Sequence, residues 1–402
     1  MSETSARPAP VRHRVAVTGL GVVSACGVGK EALWAGLLGD APEGLRRLAD
    51  FDPSPYYDNP KEVRRADRFE QFATAAAAEA IAQSGLPTGD PLRQGVLIGT
   101  GIGGLYTIEE QTIIRHEKGP RRVSPFLIPM VMGNAPAAAV SMRYGFQGPC
   151  ETVVTACAAG THSVANAARL IMSGRCTAVI AGSTEAAMTE TGVAGFTNMT
   201  AMSSSLTSRP FDRRRDGFVM AEGAGVLVLE EWDSALARGA TILAEVLGGA
   251  STADAHHITA PAPGGTGAIA CIELALQEAG LSPGDITHVN AHGTSTPLND
   301  AAEADAIAKI FGTNPGPAVT SVKGILGHAL GAAGSIEAVA VVLSMLNRQI
   351  PPTAGFEIPD PELPAIDIVH GGPRDWIPGP TISNSFGFGG HNGCVVFGPA
   401  GE

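Results

Sequence analysis

Residues 151–170 read ETVVTACAAGTHSVANAARL. Thr152, Val153, Val154 and Thr155 are β-branched and fit a short buried strand. Ala156, Cys157, Ala158, Ala159 and Gly160 are small enough for a tight turn. Past Gly160, Val164, Ala168 and Ile171 recur at helical spacing. Cys157 therefore stands where a strand ends and a helix begins. Free N–H groups and the positive end of the helix dipole favour a thiolate there, so its pKa is expected to fall. A packed cysteine is the commoner role for an arbitrary Cys. The strand-turn-helix placement makes Cys157 a candidate nucleophile.

The surrounding chain bounds the setting. It has 402 residues, 44% hydrophobic and 16% charged, enough for a large core or for two similar units sharing one. Its 51 glycines point to many tight turns and close backbone approaches. A net charge of −12 argues against general binding to nucleic acid or an anionic membrane. No apolar run reads as a bilayer span. The first residues, MSETSARPAPVR, lack a signal-peptide core and read as a flexible leader over residues 1–12. The six cysteines show no paired spacing, so a reducing, cytoplasmic compartment is expected. No CxxC or HExxH spacing points to a metal.

Taken in order, residues 13–18 (HRVAVT) predict a strand, and Gly19-Leu20-Gly21 after it reads as a tight turn. A dinucleotide site there would need a third glycine, and position 24 is Ser24. Residues 51–60 (FDPSPYYDNP) are loop. One Ala-rich helix is expected over residues 61–84, with Lys61, Arg64 and Arg65 on one face. Residues 124–132 (SPFLIPMVM) read as a buried loop or an interface segment. The pattern restarts around Gly248-Gly249, dividing the chain into units over 13–248 and 249–402. Alternating strands and helices argue α/β with covered sheets.

His292, Lys323 and His328 each follow a strand in a turn rich in Gly, Ala, Ser or Thr, as Cys157 does. Strand C-termini are where α/β folds gather their sites. A lone histidine is more often structural. Two histidines, a lysine and a cysteine so placed point to covalent acyl chemistry, with Gly-rich loops supplying N–H groups to an oxyanion.

Four motifs carry a resemblance: TACAAG (155–160), NAHGTSTP (290–297), SVK (321–323) with GH (327–328) and GAAG (331–334), and NSFGFGG (384–390). Over nearly its whole length the chain resembles the β-ketoacyl-[acyl-carrier-protein] synthases of the thiolase-like condensing superfamily, elongating Cys-His-His type. The resemblance implies an α/β fold, a duplicated layered α-β-α-β-α sandwich that dimerises through a strand near the nucleophile. Cys157 would hold the acyl chain as a thioester. His292 and His328 would stabilise the enolate left when a malonyl unit loses CO2, and Lys323 would orient, backed by Glu337. The N–H groups of Cys157 and Phe388 would hold the oxyanion, with Phe386 and Phe388 forming a gate. Thr294, Thr296 and Thr259 would bind the pantetheine arm, and Ile108 and Phe196 would wall the acyl pocket. Lys61, Arg64 and Arg65 match a patch for acyl carrier protein. No cofactor of the enzyme's own is implied, since substrates ride on the carrier's phosphopantetheine.

The stretch between Phe51 and Lys61 is shorter than in most housekeeping elongation enzymes. Thr200 stands where many carry an arginine, and residues 321–326 (SVKGIL) are more apolar than in fatty acid synthesis. These departures favour the ketosynthase subunit of a type II polyketide system, paired with a chain-length-factor homologue. A homodimeric fatty acid elongation enzyme is the alternative. A non-catalytic partner subunit would lack Cys157, and a thiolase would use a second cysteine. Cys394 lies near the expected place but reads as packed core within an apolar strand.

Overall fold

The computed structural model describes residues 12–313 and 316–401. The expected leader lies outside the described residues except Arg12. Its guanidinium donates to the carbonyls of Glu278 at 2.6 Å and Leu247 at 3.0 Å.

Twelve described strands form one sheet: β1 (Val15–Ser24), β2 (Gly27–Val28), β3 (Gln94–Gly99), β4 (Cys150–Glu151), β5 (Ala178–Glu185), β6 (Gly223–Glu231), β7 (Ala244–Ala253), β8 (His288–Asn290), β9 (Ala318–Thr320), β10 (Asp367–Ile368), β11 (Thr381–Gly387) and β12 (His391–Pro399). The order is β10-β9-β8-β11-β12-β7-β1-β6-β5-β3-β4, with β2 folded back on β1. The path contains the same unit twice. In the first half β1, β6 and β5 run antiparallel, and β5, β3 and β4 parallel. In the second, β7, β12 and β11 run antiparallel, and β11, β8 and β9 parallel. A short antiparallel pairing of β1 with β7 joins them.

The helices repeat as well. α1 (Arg68–Ser84), α2 (Leu105–Lys118) and α3 (Ala159–Met172) follow β1, β3 and β4. α4 (Thr266–Ala279), α5 (Pro297–Phe311) and α6 (Ala333–Asn347) follow β7, β8 and β9. α1 covers one outer face, α4 the other, and α3 packs on α6 between the two half-sheets. Five layers result, in the order α-β-α-β-α. Residues 330–347, ending in α6, are apolar and long enough to cross a membrane, contrary to the reading of the sequence, but 89% of the stretch is buried in this core. Burying Ile336, Val339 and Val342 there contributes ~1.5–3 kcal/mol each.

Two local readings change. Gly19 and Gly21 are not a turn; β1 continues through them, with an irregularity in its pairing to β6 between Val17 and Gly19. A Cβ on either would strike the Ala80 or Ala76 carbonyl of α1, so the glycines let a helix lie directly on a strand. Gly248 does the same in the second half, where a Cβ would come 2.7 Å from the Ala279 nitrogen. The helix expected over 61–84 is two helices. Asn59 caps the short Pro60–Val63, the chain turns through Arg64 and Arg65, and Asp67 caps α1 by accepting the Phe69 N–H at 3.2 Å. Lys61, Arg64 and Arg65 therefore cluster around a turn rather than along one helix face.

Candidate active site

The Cys157 turn is more strained than its composition suggested. β4 ends at Glu151, so the β-branched residues 152–155 are not the buried strand expected: they lie beyond the strand at the sheet edge, with Val154 exposed, held by a Thr100 N–H bond to the Val153 carbonyl at 3.1 Å. A single 3-10 turn, Ala156–Ala158, then precedes α3. Ala156 has φ 49°, a left-handed conformation that costs a non-glycine residue about 1–2 kcal/mol. It aims Cys157 into a cavity of about 480 Å³. His162, one turn into α3, pins the bend: its Nδ1 accepts from the Thr155 hydroxyl at 2.8 Å and its Nε2 donates to the Asn392 carbonyl at 2.9 Å.

The second half supplies the groups facing the thiol. His328 follows Gly327, whose φ of 68° and close contact with the Val219 carbonyl exclude a side chain. The His328 Nε2 lies 3.0 Å from the Cys157 Sγ. The His292 ring stands edge-to-face on His328, centroids 5.3 Å apart, and its loop is anchored by Glu303, which accepts the N–H of His292 at 2.8 Å and of Gly293 at 2.7 Å. Lys323 is fully buried. Its Nζ donates to the His292 carbonyl at 2.6 Å and forms an ion pair with Glu337 from α6. The turn between β11 and β12 contains Phe388 and carries Gly389 and Gly390 at φ 84° and 72°. The N–H groups of Phe388 and of Cys157 itself face the sulfur.

Electrostatics correct one expectation. Burial pushes the Cys157 thiol up to about 12; Lys323 and the two N–H groups pull it down, but by less. The resting sulfur is therefore a thiol, not the helix-stabilised thiolate expected. Burial first, then the charge of Lys323, holds both His292 and His328 well below the usual histidine range, with mutual repulsion adding at His292. A neutral imidazole thus sits at hydrogen-bond distance from a neutral thiol.

The cavity is lined by Cys157, His292, His328, Phe386, Phe388, Thr294, Thr296, Thr259, Phe196 and Thr200. Ile108 does not line it; it stands on α2, 44% exposed. Cys394 is fully buried in β12, and its neighbour Cys271 donates to the Ala250 carbonyl at 3.4 Å, so neither reaches the site. Reading the sequence missed Glu303 and Glu185, carboxylates buried among backbone N–H groups, the first on the helix just past the loop it holds and the second far from both loops it ties.

The N-terminal and C-terminal domain models of beta-ketoacyl synthase match residues 43–235 and 243–357. The chain belongs to the beta-ketoacyl synthase family. It is an acyltransferase of the condensing type. This synthase is 44% identical to the 3-oxoacyl-[acyl-carrier-protein] synthase 2 of Synechocystis sp. (strain ATCC 27184 / PCC 6803 / Kazusa), over 96% of the chain and 98% of the relative. It is 42% identical to the enzyme of the same name from Staphylococcus aureus (strain N315), at the same coverage. Among solved structures, the ishigamide ketosynthase/chain length factor superposes with a TM-score of 0.90 at 33% identity, covering 97% of this chain and 100% of that one. A beta-ketoacyl synthase from Burkholderia phymatum STM815 gives 0.89 at 31%, again over 97% and 100%.

Proposed function

We propose that the synthase elongates a carrier-bound acyl chain by decarboxylative Claisen condensation, with Cys157 holding the growing chain. The observation that carries this reading is the 3.0 Å approach of His328 Nε2 to Cys157 Sγ inside the cavity that also holds His292. His328 takes the thiol proton as Cys157 Sγ attacks the thioester carbonyl of an acyl carrier protein. The oxyanion rests on the N–H groups of Cys157 and Phe388. The carrier thiol leaves with the proton. A malonyl carrier then enters past Phe386 and Phe388, its arm bound by Thr294, Thr296 and Thr259. Loss of CO2 leaves an enolate stabilised by His292 and His328, and its carbon attacks the Cys157 thioester. The C–C bond forms, the C–S bond to Cys157 breaks, and the released thiolate takes a proton from water through His328 to restore the thiol. Lys323, fixed by Glu337, orients the His292 loop. Phe196 walls the acyl side, and Ile108 would join it only where a second subunit closes over α2.

The carrier docks at Lys61, Arg64 and Arg65. Arg65 stacks 4.3 Å over the Phe126 ring, and the exposed Arg121 and Arg122 stand five and four residues before that ring, so they are the next candidates for the patch. The KGPRR run (118–122) was the sequence signal for them. An acidic enzyme attracts an acidic carrier through such a local cluster. A second subunit covers β4, the sheet's edge, beside which Val154, Met142 and Ile128 are exposed. On the type II polyketide reading that subunit is a chain-length-factor homologue, as in the ishigamide complex. Fatty acid elongation by a homodimer is the second reading, favoured by identities of 44% to the synthase 2 relatives against 33% to the polyketide structure.

The test is Cys157→Ala. Acyl loading should vanish while malonyl-carrier decarboxylation persists, and Cys157→Gln should raise that decarboxylation. Covalent loading of Cys157→Ala by an acyl carrier would sink the mechanism. Native mass of the chain with and without its genomic neighbours separates the two pathway readings.

A further inference from the structure

The duplication places a second copy of the nucleophile turn in the molecule. The turn Leu330–Ala332 before α6 matches Ala156–Ala158 before α3, and Leu330 repeats the φ of 49° seen at Ala156. Gly331 is thus the counterpart of Cys157. The packing is reciprocal. Thr161 of α3 bonds Ser385 of β11 at 2.7 Å, and Ser335 of α6 bonds Ser183 of β5 at 2.6 Å. Two residues past Ser385 is Gly387, where an added Cβ would sit 3.1 Å from the Cys157 nitrogen. Two residues past Ser183 is Glu185, whose Oε2 accepts the Gly331 N–H at 3.1 Å. A glycine opens the first site; a carboxylate fills the second.

We infer that Glu185 is a positioning residue, its carboxylate occupying the symmetry-related copy of the oxyanion site and there tying together two loops that wall the acyl side of the cavity. The inference rests on the condensing mechanism proposed above. One carboxylate oxygen bridges the halves, taking N–H bonds from Gly101 at 2.7 Å and from Gly331. The other accepts the Thr100 hydroxyl at 3.2 Å and the Ile102 N–H at 3.3 Å. Gly101, Ile102 and Leu330 all line the cavity. Every neighbour is a donor, which suits an acceptor-only group and no amide. The side chain is fully buried, and no ion pair to it occurs among the described residues. Burial lifts it to about 7. Its charge in turn raises the Cys157 thiol.

Glu185→Gln keeps the shape, removes the charge and turns one acceptor into a donor facing N–H groups. KM for long acyl-carriers should rise about tenfold as the loops separate, with a smaller change for short ones. Iodoacetamide should alkylate Cys157 about threefold faster at mildly alkaline pH, because the repelling charge is gone. Glu185→Asp keeps the charge but not the reach. It should alkylate like the wild type yet share the altered chain-length preference. Unchanged alkylation and unchanged preference in Glu185→Gln, or an equal loss for every chain length, overturns the assignment. If Glu185→Gln fails to fold, Thr100→Val removes one donor and must still shift the preference; no shift overturns it. Failure of the wild type to load acyl groups on Cys157 would instead overturn the underlying mechanism.

Discussion

Glu337→Gln isolates the buried ion pair beneath the site. Both partners are 2% exposed at the side chain, and among the described residues the Lys323 ammonium has only the His292 carbonyl as a further acceptor. Removing the carboxylate charge leaves an uncompensated buried cation, a loss of ~3–5 kcal/mol. For a 402-residue chain the unfolding entropy is ~0.8 kcal/mol per degree, so Tm should fall by roughly 4–6 °C. Replacing both partners with apolar residues of similar volume, Lys323→Met with Glu337→Leu, should recover most of that, since desolvation of two charges is no longer required. Differential scanning calorimetry on the wild type, Glu337→Gln and the double variant makes the comparison. Acyl transfer should fall in the double variant whatever its Tm. A Glu337→Gln protein within about 1 kcal/mol of wild type, or a double variant no more stable than the single, would refute the assignment of the pair as a desolvated unit.

His288, buried in β8 with both ring nitrogens unpartnered among the described residues, is pushed down to about 3 by burial. Its native pKa lies below the unfolded one, so its contribution to stability is complete at neutral pH. It is lost as pH falls from ~6.5 towards the native value, at ~1.4 kcal/mol per pH unit. Glu185 and Glu303, both lifted to about 7 by burial, act in the opposite direction, so the reading is the difference between wild type and His288→Leu. The variant should lose about one proton's worth of slope in urea titrations between those limits; parallel curves would contradict it. Gly160→Ala should abolish acyl transfer with a large drop in Tm, because the new Cβ would lie 2.5 Å from the Ser335 nitrogen where α3 crosses α6. Normal activity there would mean the crossing is looser than described. Reversing Lys61, Arg64 and Arg65 to Glu should raise KM for the acyl carrier, most at low salt, with Tm nearly unchanged. A KM that does not move would place the carrier elsewhere.

What the sequence made legible follows from range. Cys157, His292, Lys323 and His328 each announce themselves locally, as reactive side chains in small-residue turns after strands; the cavity gathers the cysteine and both histidines, and Lys323 is buried behind them on the His292 carbonyl. The start of α1 was also written locally, since Asp67 and Glu70 stand at N-cap and N3. It was obscured by the alanines on both sides. Gly19 and Gly21 could not be read alone, because the helix that demands them lies far along the chain. The duplication is geometric. It shows in matching strand directions and in the φ angles of Ala156 and Leu330, where the side chains themselves have diverged. Glu185 and Glu303 answer to backbone N–H groups on other segments, a demand that leaves no local pattern. The thiol pKa was misjudged because helix position is a local cue and desolvation depends on the whole fold.

The crossing of α3 and α6 also sets an order in time. α3 leaves the ribosome well before α6, which needs the chain to reach Asn347. At ~5–20 residues per second, on the order of ten to thirty seconds pass with the inner face of α3 uncovered. The burial that holds the Cys157 sulfur as a thiol arrives only with the second half. The nascent chain therefore carries this sulfur without the desolvation that the finished fold imposes on it.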